Sequence, residues 1–362
     1  MTRTKKPSPL VGEGGGGAVG RGKLEQKQKN ENKCEKIGKK RKEDAMLESV
    51  SHYVMPGESE TETTELIHSL ELDGIENLIY GTTPSPSPFT RLTVGAHLKF
   101  WPTWMDFYLG NKKRVQKQYP DKQSLIACYG ADTPEKWIEE IKKNIRAALA
   151  EEPYYLVWHV ADCLVEETWT RKFHYTSKEV LTCTAEIYKE VYKEIPENVE
   201  ILFENIFWPG LCTLSPEETD YFFSLLPGNN TGIVLDTGHY MNTNPDLETE
   251  DDGADYIIRM IHRLGSMKSL IRGMHLSCSL SGAYRKSCPD TPPENLDGNT
   301  IMKHITSIDR HNPFRTSAAA RIVEAAEPEF LTHELFGPKG EIPIDQVKTQ
   351  KRAIEKISKD KQ

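Results

Sequence analysis

From residue 46 onward, short apolar runs alternate with segments of helical apolar spacing, the pattern of a parallel sheet covered by helices. Strand-like runs fall at 46–53, 75–80, 93–98, 154–160, 199–205, 232–237, 271–276 and 330–335, the first being the least regular. Between them, Thr133 before Pro134 and Ser215 before Pro216 mark helix starts, each a capping side chain followed by proline in the first turn. Segments 177–194 and 253–269 have helical spacing, and 348–358 supplies a last covering helix. Eight such pairs predict a (β/α)8 TIM barrel over residues 46–362. Two long insertions, at about 99–131 and 277–314, fall where a barrel carries functional loops.

Four of the apolar runs stop on a side chain that can ligate a metal. They read Ile201-Leu-Phe-Glu204-Asn205, Ile233-Val-Leu-Asp236-Thr-Gly238-His239, Gly273-Met-His275-Leu276 and Phe330-Leu-Thr-His333-Glu334. In a parallel barrel every strand ends at the same face, so these residues are expected to converge. Two Glu, one Asp and one His suit a single divalent ion with positions left for substrate. His97 and His159 end the third and fourth runs, while Asp309, Arg310 and His311 lie in the loop after the seventh.

Nine groups are thus expected at one rim: His97, His159, Glu204, Asp236, His239, His275, Asp309, His311 and Glu334. A single histidine usually has a structural explanation, but burying nine polar groups unpaired would be costly, which favours metal or substrate. Arg310 suits a bidentate fork to phosphate or carboxylate, with a salt bridge to a rim acid as the equal alternative. Trp101 and Trp208 suit stacking on a sugar ring, against ordinary packing. His333 should point away from Glu334 by strand alternation, and His52, His68, His174, His262 and His304 have no comparable placement. Cys278 reads as a small buried thiol.

The strand-end series resembles the xylose isomerase-like TIM-barrel superfamily, which holds sugar phosphate isomerases and epimerases and also the endonuclease IV (AP endonuclease family 2) proteins. The likeness spans roughly residues 46–358 and is carried most by Val234-Leu-Asp236-Thr-Gly238-His239, then by Glu204-Asn205 and His275-Leu276. The isomerase resemblance implies one Mn, Mg or Co ion on Glu204, Asp236, His275 and Glu334, with Glu204 and Glu334 moving the proton and His159 and His239 contacting a sugar. The endonuclease IV resemblance implies three zinc ions. His97, His159 and Glu204 would hold one, Glu204, Asp236, His275 and Glu334 the second, and His239, Asp309 and His311 the third, for cleavage of a phosphodiester in abasic DNA.

Gly238, where the nuclease family has Cys, and Ile206-Phe-Trp208-Pro-Gly210 after Glu204 favour the isomerase. A barrel that binds a sugar without catalysis is the third reading.

Charge adds to the isomerase side. Residues 1–45 carry 13 Lys or Arg against 6 Asp or Glu, so the formal −8 of the whole chain leaves −15 on the remainder, with no evident basic stripe for nucleic acid. The 1–45 segment, glycine-rich and poor in apolar residues, is expected to be disordered. Seven scattered cysteines, no apolar run of membrane length and no secretory h-region predict a cytoplasmic protein without membrane or disulfide framework. The expected partner is a small sugar, with a homo-oligomer allowed.

Overall fold

The computed structural model describes residues 46–360, so the expectation of disorder over 1–45 lies outside the described residues. Eight strands, β1 Leu47–His52, β2 Gly74–Ile79, β3 Thr93–Leu98, β4 Tyr155–His159, β5 Glu200–Glu204, β6 Thr231–Asp236, β7 Ile271–Leu276 and β8 Phe330–His333, pair in parallel and in sequence order. β8 also pairs with β1, which closes the sheet into a (β/α)8 barrel. All eight strand-like runs are strands in the structure, the irregular first one included.

The side-chain period of a strand decides what each one contributes. Tyr155, Val157, Leu202, Val234 and Phe330 pack as one buried cluster. Continuing the same alternation, the next inward positions at the strand ends are His159, Glu204, Asp236 and Glu334. The opposite faces, with Leu156, Ile201, Phe203, Ile233 and Leu235, pack in the larger cluster shared with the covering helices. The barrel therefore has an apolar plug capped by a polar layer.

Helix starts follow their capping chemistry. Thr133 accepts from Lys136 N (3.4 Å) to open helix Pro134–Leu149, and Ser215 accepts from Glu218 N (3.2 Å) to open Pro216–Leu225. Helix Glu250–Leu264 begins three residues earlier than its apolar spacing suggests, because Thr249 and Asp252 form a reciprocal capping box. The last helix runs Ile344–Asp360.

Both insertions are helical rather than irregular. The first contains Met105–Tyr108, Lys112–Gln118 and Lys122–Tyr129, and the second Gly282–Ser287 and Gly298–Ile308. Asp162 anchors the first insertion by accepting from Trp104 N (2.6 Å) and Met105 N (2.9 Å). No described helix is long and apolar enough to cross a membrane.

Candidate metal centre

Strand register sets the polar layer. His159 lies beside Glu204 across β4 and β5, and Asp236 beside His275 across β6 and β7. Asn205, one residue past Glu204, ties the next pair of strand ends by donating to Asp236 O (3.0 Å) and accepting from Asp236 N (2.8 Å). Asp236 then caps the short helix Thr237–Met241, accepting from His239 N (2.5 Å), so one carboxylate oxygen is spent on the backbone and the other, Oδ2, is free.

Glu204 is the hub. Its Oε2 lies 3.0 Å from His97 Nε2 and 3.3 Å from His159 Nε2, whereas Oε1 lies 3.2 Å from His239 Nδ1 and 3.3 Å from His275 Nδ1. His275 Nδ1 is also 3.4 Å from Glu334 Oε2 and 3.9 Å from Asp236 Oδ2. On the other side of His239, Nε2 is 3.2 Å from Asp309 Oδ2, and His311 lies 3.6 Å from both Asp309 Oδ2 and Glu334 Oε2.

Ligand atoms fall into three sets, each within 4.8 Å: His97, His159 and Glu204; Glu204, Asp236, His275 and Glu334; His239, Asp309 and His311. All nine sequence-derived residues belong to them. A further set, Glu76, His97 and His275, brings in a residue that the strand-end pattern does not contain.

The donor atoms are prepared as metal ligands are. His97 Nδ1 donates to Leu98 O (2.9 Å) and leaves Nε2 inward, and His239 Nδ1 donates to Asn205 O (2.9 Å) and leaves Nε2 toward Asp309. His275 is turned the other way round: Nε2 donates to the buried Glu76 carboxyl (3.0 Å), so Nδ1 faces the carboxylates. Tethering one imidazole nitrogen fixes ring orientation and tautomer for the other.

Asp236 Oδ2 and Glu334 Oε2 are both buried, 3.9 and 3.4 Å from the same His275 nitrogen, and neither makes a well-aligned hydrogen bond. Acceptors stranded in this way cost free energy that a cation would recover. The residues present therefore fit divalent ions.

Electrostatics agree. Burial disfavours every charge in this layer, yet the carboxylates force protons onto the rings. Burial alone would lower His275 and His239, but Glu76, Glu334 and Glu204 around the first, and Asp236 and Asp309 around the second, hold both well above the ordinary range. His311 is likewise buried but is pushed up to about 9 by Asp309 and Glu334.

Two groups go the other way. Burial, only partly opposed by Glu204, drives His159 down to about 3. Burial raises Asp236 well above the carboxylate range, and Glu334 and Glu204 add to this. Protons on this cluster stand where cations would otherwise stand.

One side of the cluster is open. The Glu204 and Asp236 side chains are fully buried, while His159 and Asp309 are 12% and His311 14% exposed. Solvent thus reaches the cluster on the side of His159, Asp309 and His311. Phe100 stacks on His159 at 4.4 Å between centroids, Phe207 lies 5.7 Å from His239, and Phe336 lies 4.7 Å from His311.

Trp101, expected to stack on a substrate ring, instead meets Trp137 edge-on at 5.7 Å, and its indole donates to Cys128 O (3.2 Å). Its neighbour Phe100 is the ring beside His159. Trp208 is largely buried against Phe207, lining a cleft next to the centre. Arg310 reaches no rim acid: its N–H donates to Ser279 Oγ (3.1 Å) and its Nε to Ser307 O (3.4 Å). His333 points away, bonded to Glu48 (2.7 Å) and Gln350 (2.9 Å), as alternation requires.

Gly238 has a packing reason. A Cβ there would stand 2.5 Å from Ser277 Oγ, so the residue is tied to its neighbour on the loop after β7.

No family model matches this sequence, and no curated protein matches it. Among solved structures, a D-tagatose 3-epimerase-like protein matches at 15% identity over 88% of this chain and 100% of its own, with a TM-score of 0.47. Endonuclease IV from Thermus thermophilus matches at 13% identity over 87% of this chain and 99% of its own, with a TM-score of 0.48. A xylose isomerase-like TIM barrel/4-hydroxyphenylpyruvate dioxygenase fusion protein matches at 13% identity over 87% of this chain and 44% of its own, with a TM-score of 0.44. The fold is a closed parallel (β/α)8 barrel, and the solved structures that it matches include xylose isomerase-like barrels.

Proposed function

We propose that this chain is a zinc-dependent phosphodiesterase with a trinuclear centre, of the endonuclease IV kind. The observation that carries the reading is Glu204, whose two oxygens face two different ligand sets while a third set closes around His239. A one-ion isomerase needs only Glu204, Asp236, His275 and Glu334. It leaves without a task His97, at ligand distance from His159 and Glu204, and Asp309 and His311, at ligand distance from His239.

Bound in these sets, the ions would supply Lewis-acid charge at a phosphoryl oxygen and lower the pKa of water. The chain's part is positional. Glu204 holds two sets at a fixed separation, Asn205 and Glu76 fix the rings of His239 and His275, and Asp236 is locked by its helix cap. Phe100, Phe207 and Phe336 limit water around the open side.

The test is elemental analysis of the purified protein, with hydrolysis of bis(p-nitrophenyl) phosphate and of an abasic-site duplex before and after chelation. Close to three zinc ions per chain and chelator-sensitive cleavage are expected. One exchangeable Mn or Mg ion with no diester cleavage would sink the proposal.

The isomerase remains the second reading, because Glu204, Asp236, His275 and Glu334 form a complete and deeply buried set by themselves. For that reading, deuterium from solvent should enter one carbon of a ketose or sugar phosphate with Mn present. Such labelling, abolished by Glu334→Gln, would decide for it.

A further inference from the structure

Beside the open side of the metal centre lies a small open cleft lined by Trp169, Arg171, Phe173, Phe207, Trp208 and Arg285 among others. Arg171 ends helix Val165–Thr170, Arg285 lies on helix Gly282–Ser287, and the two meet here: Arg171 Nη1 donates to Arg285 O (3.1 Å). Arg285 in turn donates from Nη1 to Asn242 O, and Asn242 Nδ2 donates to Asp309 Oδ1 (3.3 Å). Arg285 is therefore connected through one residue to a ligand of the third metal set.

Neither arginine has a carboxylate partner among the described residues; each donates to a backbone oxygen. Other surface arginines do find acids, as Arg146 does with Glu194, Arg272 with Glu200 and Arg321 with Asp251. Arg285 is half-buried, and burial together with the charge of Arg171 lowers its pKa. Two like charges brought together without a counter-ion cost free energy, which an anion between them would return. The aromatic wall of Phe207 and Trp208 gives the same cleft a face suited to a sugar or base.

We propose that Arg171 and Arg285 form a subsite for a second phosphate on the substrate, adjacent to the phosphodiester held at the metal centre. The proposal rests on the phosphodiesterase reading for its substrate, but the subsite can be tested without turnover. An arginine fork takes two phosphate oxygens in plane, and loss of one such charged pair is worth about tenfold in affinity.

The binding test uses the chelator-stripped full chain. Tryptophan fluorescence, reporting on Trp169 and Trp208 in the cleft, is titrated with inorganic pyrophosphate at constant ionic strength. A saturable change is expected, weakened about tenfold in Arg171→Gln and in Arg285→Gln and less in Arg285→Lys, which keeps the charge but loses the fork. Arg171 is exposed, so its variant guards against loss of folding. No saturable change, or one untouched by either glutamine variant, overturns the subsite.

The turnover test compares, on zinc-loaded enzyme, a dinucleoside monophosphate with the same molecule carrying an added terminal phosphate. The added phosphate is expected to lower KM about tenfold in the wild type, and the KM ratio to fall toward one in the double glutamine variant. A ratio that persists in the double variant overturns the subsite. If neither molecule is cleaved, the pyrophosphate titration decides the subsite by itself, and the phosphodiesterase reading is decided by the abasic-site duplex.

Discussion

Glu76 carries the most demanding expectation, because it touches metal chemistry only through His275. It lies on β2 below the polar layer and is fully buried, and its Oε2 accepts from Tyr155 Oη (2.8 Å), His275 Nε2 (3.0 Å) and Thr332 Oγ1 (3.3 Å). Oε1 has no hydrogen-bond partner. In Glu76→Gln the amide oxygen can replace Oε2, but its NH2 group is then buried where no acceptor waits.

Stranding that donor costs about 1–3 kcal/mol of stability. The weaker acceptor also loosens and makes less basic the His275 ring, for which loss of such a partner lowers metal affinity about 10–100-fold, equivalent to about 1.4–2.8 kcal/mol. The assay is elemental analysis after dialysis against a graded series of chelator concentrations, alongside thermal denaturation of the metal-free protein.

The expected result is selective: the ion on Glu204, Asp236, His275 and Glu334 leaves first, while the set on His239, Asp309 and His311 retains its metal. Tyr155→Phe, which removes a donor but leaves the His275 bond, should lose far less metal. If Glu76→Gln binds every ion as tightly as the wild type, the positioning role is wrong. If it loses the His97 set first, Glu76 is acting there as a ligand.

Three further outcomes follow from the same geometry. Glu204→Gln is expected to lose more than one ion per chain, since its oxygens serve two sets, and loss of a single ion on elemental analysis would refute the bridging role. His311, pushed up from 6.5 to about 9 by Asp309 and Glu334, contributes stability to the metal-free fold that is complete below about pH 6.5 and lost as pH rises through about 9. Melting temperatures of chelated protein should therefore fall over that window more steeply than those of His311→Gln, and parallel curves would contradict the assignment. Phe203, fully buried between Tyr188 (5.3 Å) and Phe222 (5.0 Å), should cost about 3–5 kcal/mol on replacement by Ala in denaturant unfolding, and a loss below about 1 kcal/mol would show that the sheet–helix layer repacks.

What the sequence made legible, and what it hid, divides along the range of the interactions. Strand ends could be read because an apolar run that stops on Glu, Asp or His is a local signal, and the barrel rule then gathers distant runs to one face. Helix starts at Thr133 and Ser215 were legible for the same reason, and the Thr249–Asp252 box was there to be read but is masked by the acidic run that follows it.

The first insertion reads as a loop because its helices are short and its apolar spacing serves a local aromatic cluster around Trp137 and Tyr129. Glu76 stayed hidden because its partners Tyr155, His275 and Thr332 are 79, 199 and 256 positions away. Its only local trace is a carboxyl third in a largely apolar strand. Arg171 and Arg285, 114 positions apart, meet for reasons that no local pattern carries.

Gly238 shows how a sequence signal can be right about place and weak about chemistry. Its difference from the nuclease family's usual Cys weighs toward one ion if the position is taken to report on the metal. In the structure the missing side chain is accounted for by Ser277: a Cβ at Gly238 would stand 2.5 Å from Ser277 Oγ, in a loop where Thr237 Oγ1 also binds Ser277 O (2.7 Å). The residue thus answers to packing between the β6 and β7 loops. The ligand count is set elsewhere, by whether β3 offers His97 to the second oxygen of Glu204 and whether the loop after β7 brings Asp309 and His311 to His239. His97 Nε2 stands 3.0 Å from Glu204 Oε2, Asp309 Oδ2 3.2 Å from His239 Nε2 and His311 Nδ1 3.6 Å from Asp309 Oδ2, so the weight of a glycine against the proposed nuclease reading falls away, while the placement of these three residues in its favour remains.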